Sequence, residues 1–222
     1  MDRFRAYLEI LRGDTGGDLT FPVGVYNPMA KEHVLQRLLE LKELDAELLM
    51  QDALLVLNKE IEEEHSKQDF KVAAGLADDL QGSWTNRCTT DYGSKFRIGA
   101  LVGRGFCTPV FWSSETFDGP MIGRRTLEYC YRTLYWLTSP KPETLEEHIL
   151  QEKFVAEKTK DLQTELSRDF KTLDLFYQEH KKSTDHALIL CFLYGDEAVQ
   201  NLGQKTFGIR EEMAGFKYAR GR

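Results

Sequence analysis

Apolar residues recur at helical spacing along most of this chain. Phe4, Leu8 and Leu11 share one stripe of a short N-terminal helix, ended by Gly13 to Gly17. Asn27-Pro28 has the form of a helix start, because Asn caps free N–H groups and Pro needs no donor at the first helical position. From Met29 to His65 there is neither Gly nor Pro. Val34, Leu38, Leu41, Leu44 and Leu48 carry a stripe that continues through Leu55 and Ile61 after a change of phase. That change predicts two helices with a bend near Asp45 or Gln51. Gly119-Pro120 opens a helix over Met121 to Leu137, with Leu127, Cys130, Tyr131, Leu134 and Leu137 on its apolar face. After the linker Ser139 to Pro142, Thr144 and Glu147 have capping-box spacing. The Gly- and Pro-free run that follows predicts two helices parted at Ser183-Thr184-Asp185. Asp196 starts a last short helix ending near Gly203, and the basic C-terminus FKYARGR is expected to fray.

Strand patterns are fewer. Leu19 to Tyr26 favours extended backbone, with Pro22 confining it to an edge or a loop. Asp69 to Leu80 fits strand and helix equally. Phe96 to Val102 and Cys107 to Trp112 are the best strand candidates, and Gly103-Arg104-Gly105 turns between them as a hairpin. The expected fold is mainly α: one domain over residues 1–222 with about six helices and a small antiparallel β-hairpin or irregular insert around residues 84–112. Residues 139–142 offer a weak boundary. The alternative is α+β, with Leu19–Tyr26, Asp69–Ala74 and the two central strands in one antiparallel sheet.

Composition narrows the classes. A chain of 222 residues can bury a real core. Its net charge of -7 opposes general nucleic-acid binding, which is driven by phosphate neutralisation. The longest apolar run, Ala187 to Tyr194, falls far short of the ~20 residues that cross a bilayer. The N-terminus has no signal-peptide h-region, so a cytoplasmic protein without a membrane partner is expected. Cys88, Cys107, Cys130 and Cys191 include no C-x-x-C pair and are expected as buried reduced thiols.

Candidate chemistry is concentrated between Trp84 and Trp112. Arg87, Arg97 and Arg104 each offer a planar fork of donors for carboxylate or phosphate. Trp84 and Tyr92 offer faces for stacking, Asn86 an orienting amide, and Asp91 a carboxylate to fix a donor. Arg124 and Arg125 follow at the start of the next helix. No nucleophile elbow, phosphate loop or zinc-protease motif is present. The expected function is therefore the binding of a small anionic or polar ligand in an Arg- and Trp-lined pocket formed by residues 84–112. No cofactor is indicated, and whether the protein is an enzyme is left open. Two other readings stand beside it. The apolar stripes of Val34–Ile61 and Leu145–Phe176 suit a helical scaffold that forms a homodimer. Glu62 with His65, and His148 with Glu152, have the spacing of metal ligands on a helix bundle. All five histidines follow an acidic residue, which also suits a solvated helix face.

Overall fold

The structure is a computed structural model that describes residue 5 and residues 30–64, 69–80, 85–160 and 170–222, with residues 62–64 described by backbone alone. Asn27-Pro28, Leu19–Tyr26, His65 and Trp84 lie outside the described residues, as does the Phe4–Leu11 stripe. In chain order the elements are α1 (Glu32–Glu43), α2 (Ala46–Glu64), β1 (Lys71–Val72), β2 (Gly75–Ala77), α3 (Arg87–Phe96), α4 (Gly99–Val102), β3 (Phe106–Cys107), β4 (Val110–Trp112) and α5 (Gly119–Thr138). They continue with α6 (Leu145–Lys158), α7 (Lys171–His180), α8 (His186–Tyr194), α9 (Asp196–Gln200) and α10 (Ala214–Arg220). The protein is thus mostly helical, with ten helices among the described residues rather than about six. The difference comes partly from one- and two-turn helices such as α4, α9 and α10, too short to show a period of their own. The chain divides into two compact units, one of Met1–Arg87 with Ile98–Cys130 and the other of Cys88–Arg97 with Tyr131–Arg222.

In the first unit, α1 and α2 meet at Leu44–Asp45, where Asp45 takes φ 51°. This is the bend expected there, made possible because Asp tolerates the left-handed region better than most residues. The core gathers Leu41, Ala46, Met50, Phe111, Phe117 and Ile122, with Leu49, Val72 and Leu76 against it.

The strands correct the expected hairpin. Phe96 to Val102 is not a strand: Phe96 ends α3 and Gly99–Val102 is α4. Cys107 to Trp112 pairs instead with the ambiguous segment after Asp69, and the pairing is parallel. Lys71 lies opposite Phe106, Val72 opposite Cys107, Gly75 opposite Val110 and Ala77 opposite Trp112, one unbroken register. Gly75 N–H still bonds the Pro109 carbonyl at 2.8 Å, and Ala73 N–H the Cys107 carbonyl at 3.0 Å. The ribbon divides into two short pieces where Pro109 has no N–H to give back. An antiparallel hairpin needs only a tight turn, whereas a parallel pair needs a long crossover, here residues 78–105.

The second unit is built around α8. Leu188 through Tyr194 are all buried, as an all-apolar helix requires. Phe170, Tyr177, Phe192, Phe216 and Tyr218 pack with it in one cluster. The Thr144–Glu147 capping box at the start of α6 forms as the spacing predicts, and Asp185 caps α8 by accepting from Ala187 N–H at 2.9 Å. The C-terminal segment, expected to fray, is α10, with Ala214, Phe216, Tyr218 and Ala219 buried. Gly215 permits this docking: a Cβ there would meet Leu193 Cα at 2.9 Å. Gly195, between α8 and α9, takes φ +91° with the Glu211 carbonyl where a Cβ would stand.

Candidate functional site

Helix α3 buries Cys88, Asp91, Tyr92, Lys95 and Phe96. These positions recur at three- and four-residue steps, so they form one face of the helix. Two of the five are charged. Helix α6 repeats the theme, burying His148, Gln151 and Glu152 beside Leu145, Ile149 and Val155. The second unit therefore encloses a polar cluster inside an apolar core.

Its ionic part is a set of close pairs. Lys95 Nζ donates to Asp91 Oδ2 at 2.6 Å, and the Tyr194 hydroxyl donates to the same oxygen at 2.8 Å. Arg132 meets Glu152 as a fork, Nε to Oε1 at 2.8 Å and Nη2 to Oε2 at 2.5 Å. Gln151 links the pairs, donating to the Lys95 carbonyl at 3.1 Å and to Glu152 Oε1 at 3.1 Å, while Trp136 Nε1 donates to its amide oxygen at 2.9 Å. Burial works to raise the Asp91 pKa, but Lys95, Tyr194 and Arg132 outweigh it, and the carboxyl stays below the ordinary range. The Glu152 carboxyl is likewise below its usual range, with burial overcome by Arg132. Burial also pulls the Lys95 pKa down against the attraction of Asp91.

Beside this cluster lies a phenol–imidazole pair. The Tyr92 hydroxyl and His148 Nε2 are 2.9 Å apart, and His148 Nδ1 is 2.7 Å from the Thr144 carbonyl. A carbonyl only accepts, so Nδ1 carries the proton and Nε2 offers its lone pair; Tyr92 is then the donor. Burial lowers the His148 pKa and keeps the ring neutral, and burial raises that of Tyr92 against the charge of Arg97. The Arg97 guanidinium lies 5.3 Å from the Tyr92 ring centroid, and His186 meets the same ring edge-on at 5.0 Å. Arg97 Nη2 donates to His186 Nε2 at 2.9 Å, which makes His186 a neutral acceptor. Burial and the Arg97 charge lower its pKa further. Arg97 is exposed and has no carboxylate at ion-pair distance among the described residues.

The other predicted site residues lie elsewhere. Arg87, in the first unit, donates to Asp79 Oδ2 at 2.7 Å, Ser114 Oγ at 2.9 Å and Glu115 Oε1 at 3.0 Å, with Trp112 under its guanidinium at 5.2 Å. Arg125 grips the same Glu115 with both Nη atoms, and Arg124 lies 3.9 Å from Glu128. Asp78 accepts from His33 at 2.9 Å and Ser113 at 2.7 Å. These groups follow directly after β2 and β4 and tie the ends of the ribbon together. Arg104 is exposed over the Phe106 ring at 5.5 Å, and Asn86 is exposed before α3. Thus Tyr92 and Arg97 meet in the second unit, Asp91 pairs there with Lys95 and Tyr194, and Arg87 and Arg104 take separate partners in the first.

His148 and Glu152 already spend their ligating atoms on Thr144, Tyr92 and Arg132. Among the described residues no group of three or more His, Cys, Asp and Glu could hold a metal ion. All four cysteines are buried free thiols, and burial pushes Cys88 up to about 12. Among the same residues no helix is long and apolar enough to cross a membrane. The sequence reading missed Lys95, Arg132, Gln151, His186 and Tyr194. The available signal was the 88-91-92-95-96 stripe, readable once Asp91 and Lys95 are allowed to pair with each other in the interior. Compared with known families, characterised proteins and solved structures, the chain matches none.

Proposed function

We propose that this protein binds a small anionic or polar ligand in its second unit, at Arg97, with His186 beside it and the buried Tyr92 ring beneath the guanidinium. One observation carries the reading: Arg97 is an exposed guanidinium whose neighbours are a neutral imidazole and an aromatic ring, with no carboxylate at ion-pair distance among the described residues. Arg87, Arg125 and Arg132 each hold carboxylates; Arg97 gives one donor to His186 and has others to offer an incoming anion. Behind it, Asp91, Lys95, Arg132 and Glu152 fix α3 and so the direction of Tyr92 and Arg97. The Tyr92–His148 bond equips the same place for proton transfer, with a phenol proton already directed at an imidazole lone pair. The proposal sets the protein in a reducing compartment, the cytoplasm, where four buried thiols persist.

Calorimetric titration with inorganic phosphate, and separately with acetate, tests this. The wild-type chain binds at least one of them saturably, and Arg97→Met weakens that binding roughly tenfold or more, the worth of one charge-assisted hydrogen bond. Equal binding by Arg97→Met, or no binding of either anion, would overturn the proposal.

A further inference from the structure

Helix α2 is apolar on two sides. Ala46, Met50, Ala53 and Leu57 form its buried stripe. On the other side Leu48, Leu55 and Val56 are 55%, 55% and 62% exposed. With Leu38, Leu39 and Leu44 of the adjoining α1 segment, they outnumber the remaining exposed large hydrophobics of the described residues, Leu80, Leu150 and Leu175. Single exposed leucines are ordinary, but such a concentration on one helix pair marks an association surface.

Two charges define what fits it. Asp52 and Lys59 are exposed and lie on the same stripe as Leu48 and Leu55, within about 60° of one another around the helix. Neither has an ion-pair partner among the described residues. They cannot pair with each other, since two helical turns, about 10.5 Å, separate them. A second copy of the same helix supplies both missing partners. We propose that α2 pairs antiparallel with α2 of a second copy, about a two-fold axis passing between Leu55 and Val56. Asp52 and Lys59 stand equally far from that axis, about 5 Å along the helix, so Asp52 of either copy faces Lys59 of the other. Leu55 and Val56 meet their counterparts at the centre. A two-fold interface must be self-complementary, and this stripe is. Parallel pairing in register would instead set Asp52 against Asp52 and Lys59 against Lys59.

Sedimentation equilibrium of the full chain and its variants tests the pairing. The wild type is a dimer at micromolar concentration. Asp52→Lys alone, or Lys59→Asp alone, places like charges opposite each other and raises the dissociation constant roughly tenfold or more. The double swap D52K/K59D restores it to near the wild-type value. Leu55→Glu with Val56→Glu gives a monomer whose circular dichroism is unchanged and whose unfolding midpoint no longer depends on protein concentration. A wild-type monomer at tens of micromolar overturns the proposal and assigns the face to another partner. A dimer indifferent to the single swaps, or not rescued by the double swap, overturns it equally, because the interface then lies elsewhere.

Discussion

The two units solve the same electrostatic problem in opposite surroundings. Each ties elements together with arginine and carboxylate. At the ribbon ends of the first unit the Arg87 side chain is 51% exposed and reaches water, while its partners Asp79 and Glu115 are 3% and 17% exposed. In the second, Arg132 and Glu152 are 3% and 4% exposed, and each charge is balanced by the other rather than by water. The exposed Arg87 can be lost and let water take its place, with Asp79 still held by Ser113 and Ser114. The buried pair cannot be opened in that way; beside it the Thr144 carbonyl at His148 Nδ1 holds the Tyr92–His148 bond in one tautomer. Burial, rather than the kind of residue, separates a fastening from a site.

The comparison breaks most readily at Arg132. Replacing it by Met leaves Glu152 charged and buried, and should cost about 3–5 kcal/mol in urea denaturation. Next comes Gly195→Ala, where the positive φ alone costs about 1–3 kcal/mol and contact with the Glu211 carbonyl adds to it. Tyr92→Phe removes the donor to His148 Nε2 and should cost about 1–3 kcal/mol, with the His148 ring resonances moving most in the NMR spectrum. Arg87→Met should change stability by no more than about 1 kcal/mol. If it costs as much as Arg132→Met, the distinction between the two networks falls.

Acid should act on the second unit in two steps. His148 has a lowered folded pKa, so the unfolded chain takes up a proton first as pH falls through about 6.5, and stability is full above that value and declines below it. Asp91 and Glu152 are also lowered, so their contribution is present above about 4 and is lost on further acidification. Thermal unfolding followed between pH 8 and 3 should therefore show a first decline that begins near neutral and is reduced in His148→Phe, the remainder coming from His186, then a steeper one (window values about those of free side chains).

Much of the helical frame was legible in the residues. The bend at Asp45, the capping box at Thr144 and the break before Asp185 all follow from short-range chemistry, and all form. The ribbon was not legible, because a parallel pair joins residues 35 positions apart, as Lys71 and Phe106 are, and no local pattern records the partner. Asp91, Tyr92 and Arg97 stood out by type. Lys95 and Arg132 did not, because a charged residue is usually solvated and its burial depends on a counter-charge, 20 positions away in the case of Arg132.

The central claim is that Arg97 and His186 present an anion-binding surface in the second unit. The most direct measurement is the His186 ring resonance under titration with inorganic phosphate at fixed pH and ionic strength, with His33 of the first unit as an internal reference. The account predicts a saturable shift of His186 that leaves His33 in place and disappears in Arg97→Met. A His186 resonance that stays fixed, or one that shifts equally in Arg97→Met, would contradict it.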